Sequence, residues 1–369
     1  MTRVLVTGAT GFIASHTIAD LLRAGYEVRG TVRSRARALL EAALARLPGA
    51  ERLELVEADL NDAASFVAPA RGCDAVVHMA SPYAIQVADP QRDLVDPAVN
   101  GTRAVLAAAA GAGVKRVVLT SSMAAITDEP PADHALSEAD WNEKSSLVRN
   151  PYYFSKTLAE RAAWRFMEDK PGFDLVAINP FLVIGPSYGK ALNESNKLLA
   201  GMTKGVYPGV LALSWGFVDV RDVARAHVRA LETPAAKGRY LCAGDILTMR
   251  ETVAALRAAL PQAKLPRLPL DNLSARRWSS SPRARNRPAS APICAATSAA
   301  SLAMTMARFG ASLAWNSGPP ARRSPRRRRI WSNGAISALK LTPPPAARKS
   351  APRAGCRSRT ASDRTRTAL

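Results

Sequence analysis

Cysteine and histidine are scarce in this sequence. The 369 residues include only four of each. The cysteines, at positions 73, 242, 294 and 356, show neither a C-x-x-C motif nor the spacing of zinc ligands, and the histidines are scattered. Neither a disulfide framework nor a metal site is therefore predicted.

Long hydrophobic runs are absent as well. No apolar stretch reaches the roughly 20 residues that a transmembrane helix needs. Met1-Thr2-Arg3 leads directly into a strand pattern, which leaves no room for a signal peptide. These two absences predict a soluble, cytoplasmic chain with no membrane partner.

Acidic residues are nearly missing from one part of the chain. The formal net charge is +21, but residues 272–369 hold 20 of the 51 lysines and arginines and one of the 30 acidic residues, Asp363. Residues 1–271 keep 31 basic and 29 acidic residues, so this main body is nearly neutral. The basic composition that is typical of nucleic-acid binding proteins thus belongs to the last 98 residues alone.

The main body alternates strand and helix patterns. Near-continuous Val, Leu and Ile runs, such as Arg3–Thr7 and Val114–Thr120, are separated by amphipathic segments. This pattern is typical of a parallel sheet covered on both faces, the doubly wound Rossmann-like α/β class. We predict a nucleotide-binding domain over residues 1–179, with a return near 217–232, and a small substrate lobe over 180–271.

A glycine turn joins the first strand to its helix. Gly8, Gly11 and Ala14 match G-x-x-G-x-x-[G/A], in which the glycines let the backbone approach a pyrophosphate at the helix N-terminus. Because this motif lies between a predicted strand and a predicted helix, it indicates a dinucleotide site. Its predicted cofactor contacts are Gly8, Thr10, Gly11, Phe12 and Ile13.

The end of the second strand bears on the choice between NAD and NADP. NAD-binding domains carry an acidic residue here, roughly 20 residues beyond the glycines, but this chain has none between Glu27 and Glu41. Arg33 instead could bind a 2′-phosphate. We predict NADP, with NAD as the alternative. Residues after the third and fourth strands are further predicted cofactor contacts: Asp59, Leu60, Ala80 and Ser81.

Tyr152 and Lys156 are candidates for the chemistry. Pro151 suits the first turn of a helix, on which these two residues, four apart, share a face. An ammonium ion near a phenol lowers its pKa and makes it a better acid–base group near neutral pH. Ser122 follows the fifth strand at the same edge of the sheet and would be the third polar group.

These residues together resemble the extended short-chain dehydrogenase/reductases, the NAD-dependent epimerase/dehydratase family. The resemblance is strongest to its dihydroflavonol reductase and cinnamoyl-CoA reductase branch. The motifs run in the same order from residue 1 to about 271: 6–13, 30–33, 78–82, 152–160, 179–180, 185–186 and 218–224.

The resemblance implies a role for each site residue. Tyr152 would protonate a carbonyl oxygen as hydride reaches its carbon, Lys156 would lower the tyrosine pKa and bind the nicotinamide ribose, and Ser122 would orient the carbonyl. Backbone at Pro180 and Val183 would lie along the nicotinamide. The implied substrate is a small or medium aldehyde or ketone, or the corresponding alcohol. Thr127 replaces the asparagine that recognises flavonoids in plant dihydroflavonol reductases.

Two other functions remain open. A sugar-nucleotide epimerase or dehydratase would use the same scaffold with retained NAD, although Arg33 and the strand end Thr120-Ser121-Ser122 disfavour it. Alternatively, the basic tail would bind nucleic acid or another anionic surface. The oligomeric state is predicted only as monomer or homodimer.

The tail itself departs abruptly from the family pattern. Residues 272–369 contain 18 arginines and ten prolines, a composition that predicts disorder. The family normally supplies the last elements of the substrate lobe here. Arginine, alanine, proline, serine and glycine are also what GC-rich codons encode out of frame. We therefore hypothesise a frameshift near residue 272 and an incomplete lobe, which resequencing of the gene would test.

Overall fold

The main sheet of the computed structural model has seven parallel strands. The structure describes residues 2–36, 43–82, 87–129, 135–169, 171–189 and 192–270. The predicted basic tail, residues 272–369, lies outside these ranges. The sheet consists of β1 (Arg3–Thr7), β2 (Glu27–Val32), β3 (Leu53–Glu57), β4 (Ala75–His78), β5 (Arg116–Thr120), β6 (Asp174–Pro180) and β9 (Gly238–Cys242).

The strands are ordered β3-β2-β1-β4-β5-β6-β9. The chain therefore reverses direction across the sheet between β1 and β4, where Val4 pairs with Ala75 and Thr7 with His78. At such a switch point the loops after the two strands diverge and leave a crevice at the carboxyl edge, where nucleotides bind in this class. The predicted Rossmann-like α/β fold is confirmed.

Helices cover the sheet. They are α1 (Phe12–Arg23), the single turn α2 (Val67–Ala70), α3 (Asp96–Gly111), α4 (Pro151–Glu168), α5 (Glu194–Thr203), α6 (Val220–Glu232) and α7 (Met249–Ala259). Leu5 of β1 joins a core cluster with residues of α3 and α4. Val4 and Val6, which alternate with it and point to the opposite face, are also fully buried. On that side α1 packs with α6.

A second, three-stranded sheet lies beyond β6. Its order is β10-β8-β7, from Ile246–Thr248, Ser214–Asp219 and Leu182–Ile184, and β10 runs antiparallel to β8. Its side chains form a separate core with α5 and α7, centred on Phe217, Leu199 and Met249. Strand β9, although within the range predicted for the substrate lobe, pairs with β6 in the large sheet. The proposed domain boundaries themselves stay a prediction.

Arg116 anchors the segment that returns to the large sheet. Its buried guanidinium donates hydrogen bonds to the carbonyls of Ala230 (2.7 Å), Thr233 (2.7 Å) and Pro234 (2.9 Å). These carbonyls are at the C-terminal end of α6, where a cation is favoured by the helix dipole. Arg116 thus holds α6 in place and directs the chain into β9.

None of the helices in the described ranges has the length and apolar character needed to cross a membrane.

Candidate active site

The predicted site residues lie along the carboxyl edge of the large sheet. Most of them follow or end a strand of this sheet, or begin the helix after it, because parallel strands all point their carboxyl ends to one side. Lys156 lies in the second turn of its helix, and Val183 lies within a strand of the small sheet. The structure places them as follows: Gly8, Thr10, Gly11, Phe12 and Ile13 between β1 and the first turn of α1; Arg33 after β2; Asp59 and Leu60 after β3; Ala80 and Ser81 after β4; Ser122 after β5; Tyr152 and Lys156 on α4; Pro180 at the end of β6; and Val183 in β7.

The glycine turn has the geometry of an anion cradle. Gly8 has φ +69°, and a Cβ atom there would lie 3.0 Å from Cα of Ala80, so a side chain would be both strained and crowded. Gly11 caps α1 without a side-chain hydrogen bond, and the first turn of α1 has no acidic residue. The N–H groups and positive dipole end of α1 are therefore suited to a phosphate.

A buried threonine–histidine pair fixes the crevice between β1 and β4. Thr7 Oγ1 accepts hydrogen bonds from the backbone N–H groups of Met79 and Ala80, both at 3.0 Å. Its own hydrogen is therefore donated to Nδ1 of His78, 2.8 Å away, and Nε2 donates to Thr102 Oγ1 at 3.4 Å. Burial, with the nearby Lys156, lowers the pKa of His78 to about 3, so the ring is neutral.

The predicted adenosine-side residues do not all point into this crevice. Arg33 is exposed just beyond β2. The Asp59 carboxylate accepts a hydrogen bond from N–H of Asn61 within its own turn, at 2.9 Å. Leu60 packs against α3 instead: a Cβ atom on Gly101 would lie 2.5 Å from Leu60 Cδ2. Among these three, Arg33 has the side chain most available to a ligand.

Lys156 is buried at the end of β5. Its Nζ donates a hydrogen bond to the carbonyl of Thr120 at 3.1 Å. Burial lowers the pKa of Lys156 to about 8, although the carboxylate of Glu160 acts to raise it. The ammonium thus titrates within the physiological range.

Thr120 is held in turn by His227 of α6. Nδ1 of His227 donates to the carbonyl of Val223 at 2.8 Å, so Nε2 accepts from the Thr120 hydroxyl at 2.7 Å. Burial lowers the pKa of His227 to about 4, which keeps this acceptor neutral. The carbonyl that binds Lys156 is thereby fixed from the opposite side of the strand.

The two tyrosines at the start of α4 differ in their surroundings. Tyr152 lies on the Lys156 face, four residues earlier, and its ring meets that of Tyr153 edge-on at 6.1 Å. Burial and the carboxylate of Asp128 raise the pKa of Tyr153 above its ordinary value. Tyr153 is therefore a poorer acid near neutral pH than an ordinary tyrosine.

The two serines after β5 also differ. Ser121 is buried and its Oγ donates to Oε2 of Glu160 at 2.5 Å. Ser122 is half-buried and its Oγ accepts the N–H of Ala124 at 3.1 Å, so its hydroxyl hydrogen is directed elsewhere. Helix α4 lies against this segment, where Thr157 Oγ1 donates to the Ala124 carbonyl at 3.3 Å. The segment that begins at Ser122 and the first turns of α4 therefore lie together at this edge of the sheet.

Pro180 and Val183 border the opposite side of the site. Pro180 pairs with Cys242 of β9, and the N–H of Phe181 donates to the Cys242 carbonyl at 3.1 Å. The Val183 carbonyl accepts from Nδ2 of Asn193, the residue that caps α5, at 2.8 Å. These contacts fix the backbone that crosses from the large sheet to the small one.

A buried polar cluster beneath the site was not predicted from the sequence. Glu160 is fully buried and accepts hydrogen bonds from Ser121, Asn179, Trp164 and Arg239. One signal for it was present: Glu160 follows Lys156 by four residues, on the stripe that carries Tyr152. The strand residues that meet it come from β6 and β9, and local spacing does not reveal them.

The acidic residues after β5 hold the start of α4. The Asp128 side chain is fully buried and forms an ion pair with Arg149 at 2.6 Å, and it also accepts from Asn150 Nδ2. Asn150 adopts φ +51° immediately before Pro151, the first residue of α4. Asp128 therefore acts on the helix terminus from which Tyr152 projects. Thr127 Oγ1 donates to the Glu129 carbonyl at 2.7 Å and is buried.

Comparison with known proteins agrees with this architecture. The model of the NAD dependent epimerase/dehydratase family matches residues 4–243. The chain belongs to this family. The predicted family is thereby confirmed, and so is the reductase branch by the relatives that follow.

Two curated plant proteins are similar over most of their length. Cinnamoyl-CoA reductase CAD2 of Medicago truncatula is 40% identical over 275 residues, which cover 71% of this chain and 82% of the relative. Tetraketide alpha-pyrone reductase 1 of Arabidopsis thaliana is 39% identical over 275 residues, with 72% and 83% covered. Among solved structures, Gre2 from Candida albicans in complex with NADPH superposes with a TM-score of 0.67 at 34% identity, covering 73% of this chain and 86% of that one.

Proposed function

We propose that this family member is an NADPH-dependent oxidoreductase that reduces the carbonyl of a small or medium aldehyde or ketone. The observation that carries the proposal is the buried Lys156 ammonium, which binds the carbonyl of Thr120, two residues before Ser122, and lies on the same helical face as Tyr152. This group lies at the carboxyl edge of the sheet, as does the anion cradle at Gly8.

The relatives support this chemistry. They include reductases of cinnamoyl-CoA and of tetraketide alpha-pyrones. Another is the Candida Gre2 protein, which was solved with NADPH. The predicted oxidoreductase class agrees with the reductase names of the two plant relatives. The predicted NADP agrees with the NADPH complex of Gre2. The particular carbonyl compound stays open among these substrate types.

The residues present suit a dinucleotide. The N-terminus of α1 and the backbone at Gly8 and Gly11 would hold the pyrophosphate. Arg33, exposed at the end of β2 with no acidic residue in sequence between Glu27 and Glu41, would pair with a 2′-phosphate. NADPH bound here would supply hydride to the carbonyl carbon.

The protein side chains would manage the proton and the developing negative charge. Ser122 would direct its free hydroxyl hydrogen at the carbonyl oxygen and stabilise the charge that grows there. Tyr152 would donate its phenolic proton to the same oxygen. The Lys156 ammonium would stabilise the resulting phenolate because opposite charges at short range favour the ionised form.

The proposal is tested by following NADPH absorbance at 340 nm with a panel of aldehydes, ketones and acyl-CoA thioesters. Each is assayed with NADPH and NADH, using the purified full-length chain. We expect NADPH oxidation that depends on an aldehyde or ketone, with preference for NADPH. Turnover of a UDP-sugar with no net oxidation of cofactor would contradict the proposal and favour an epimerase or dehydratase. Nucleic-acid binding without reductase activity would favour the basic-tail hypothesis.

Arg33→Ala is expected to reduce the preference for NADPH over NADH. Hydrogen bonds to charged groups contribute about 1.5–3 kcal/mol, so the KM for NADPH should rise about 10- to 100-fold. The KM for NADH should change by less than about twofold, since NADH has no 2′-phosphate for Arg33 to pair with. Steady-state kinetics with both cofactors measure this. Arg23→Ala removes an exposed arginine that pairs with Asp20, and it should change neither value. Equal losses for both cofactors would contradict the role of Arg33.

A further inference from the structure

Glu160 is a fully buried acidic side chain that accepts four hydrogen bonds next to the site. Both of its oxygens accept two hydrogen bonds. Oε2 accepts from Ser121 Oγ at 2.5 Å and from Asn179 Nδ2 at 2.7 Å. Oε1 accepts from Arg239 Nε at 2.7 Å and from Trp164 Nε1 at 3.1 Å.

These partners require a carboxylate. The amide of Asn179, the indole N–H of Trp164 and the guanidinium of Arg239 can only donate through these atoms. An amide in place of the carboxylate would turn its own N–H donors toward one pair of these donors. The side chains of Glu160 and Arg239 are 0% and 8% exposed, so both charges are buried. Their ion pair compensates the cost of burying the carboxylate charge.

Glu160 is connected to the main chain at Ser122 through two residues, Asn179 and Ser121. The Asn179 amide donates to the Ser122 carbonyl at 3.1 Å as well as to Glu160. Ser121, bonded directly to Glu160, also donates its backbone N–H to Ile178 of β6 at 2.8 Å. The position of the main chain at Ser122 thus depends on its hydrogen bond with Asn179 and on the adjacent Ser121, both of which bind Glu160.

Arg239 extends the cluster to the segment 135–149, which precedes α4. Its Nη1 donates to the carbonyls of Glu138 and Asp140 at 2.8 and 2.6 Å, and its guanidinium lies 3.7 Å from the ring centroid of Trp141. A cation above an indole ring is itself a stabilising arrangement. The same carboxylate therefore connects β5, β6, β9 and the segment that leads to Tyr152.

We infer that Glu160 is a positioning residue for the reaction, which fixes Ser122 through Ser121 and Asn179 and joins it through Arg239 to the segment 135–149. This inference rests on the proposed carbonyl reduction. Lys156 is one helical turn away from Glu160, so the carboxylate also acts on its charge.

The ionisable and polar groups that face Lys156 determine how removal of the Glu160 charge changes the pKa of Lys156. They are His78 from β4, Tyr152 and Glu160 from its own helix, and the Thr120 carbonyl from β5, behind which lies His227. Both histidines are neutral at pH 6–10, since burial lowers their pKa values to about 3 and 4. The Glu160 carboxylate raises the pKa of Lys156, so its removal lowers that pKa.

Glu160→Gln is expected to lower kcat for carbonyl reduction at least about tenfold, because small displacements of a positioned group are costly. The KM for NADPH should stay within about twofold, since the anion cradle is at Gly8, across the sheet edge. The alkaline limb of the kcat–pH profile should move to lower pH. The kcat values are expressed per NADPH-binding site, determined by NADPH titration, so that a loss of folded protein does not lower them.

Two further variants separate charge from position. Glu160→Asp keeps the charge but is one methylene shorter. Compared with Glu160→Gln, it should return the alkaline limb to the wild-type pH, while kcat should stay low because the carboxylate no longer reaches its partners. Ser121→Ala removes one neutral contact and should lower kcat several-fold with the limb unchanged. Glu168→Gln, an exposed glutamate on the same helix, is the matched control and should resemble the wild type.

The outcomes are distinct. If the wild type reduces carbonyls and Glu160→Gln has the wild-type kcat and pH profile per NADPH site, the inference is wrong. A lower yield of folded protein with unchanged kinetics per site would also overturn it, because that result indicates a purely structural role. If the wild type itself shows no carbonyl-dependent NADPH oxidation, the proposed function fails first, whatever the variant does.

Discussion

Tyr152→Phe is expected to lower kcat for carbonyl reduction by about 10²- to 10⁴-fold, the usual contribution of a positioned general acid. The substitution removes only the phenolic oxygen, so the ring keeps its edge-on contact with Tyr153. Binding of NADPH should be retained, since the anion cradle at Gly8 and Gly11 is untouched. Single-turnover kinetics at saturating NADPH, with cofactor titration by fluorescence, measure both quantities.

Tyr153→Phe is the matched control for this experiment. Burial and Asp128 raise the pKa of Tyr153 and make it a poor acid. We expect kcat within about threefold of the wild type, the range of a small packing change. Substantial residual turnover in Tyr152→Phe, together with a large loss in Tyr153→Phe, would show that the neighbouring tyrosine supplies the proton.

Lys156→Met should give the second largest loss. Methionine keeps the length and apolar stem of lysine, and removes the ammonium that donates to the Thr120 carbonyl. Loss of one electrostatic donor in a water-excluded site typically costs about 10²–10³ in kcat. Lys197→Met, which removes an exposed lysine paired with Glu194, is the control and should leave kcat unchanged.

The pH dependence provides a test of the same residue. The pKa of Lys156 is lowered to about 8 by burial. In the proposed mechanism, the charged ammonium below that pH would stabilise the Tyr152 phenolate, and the neutral amine above it would leave the phenol a weaker acid. The rate of carbonyl reduction in the wild type should therefore fall as pH rises through about 8. Lys156→Met should lack this limb, and a limb that persists in the variant would assign it to another group.

Much of the site could be predicted from local patterns. The Gly8–Ala14 turn predicts a phosphate site at a helix N-terminus. The four-residue spacing from Tyr152 to Lys156 puts both on one face, because helical geometry sets neighbours within a single element. Ser122 was predicted from its place after a strand. Each of these residues lies at the predicted edge of the sheet, while their catalytic and binding roles stay predictions.

Other features required contacts between distant segments. Leu60 follows β3 as predicted, yet its side chain packs against Gly101 of α3, because the sequence position of a residue does not specify the direction of its side chain in a loop. The different surroundings of the two serines after β5 also required the tertiary structure: Glu160 accepts the hydroxyl hydrogen of Ser121 and leaves that of Ser122 available.

By itself, the sequence determined the doubly wound fold, the family and the position of the reactive edge. Alternating strands and helices, and motifs contained within one turn or one helix, encode these properties through short-range geometry. Only the tertiary structure decided that β9 returns beside β6, and that Glu160 meets Arg239 beneath the site. Glu160 and Arg239 are 79 residues apart in the sequence and meet because β9 lies beside β6 in the sheet. No local sequence pattern indicates this pairing.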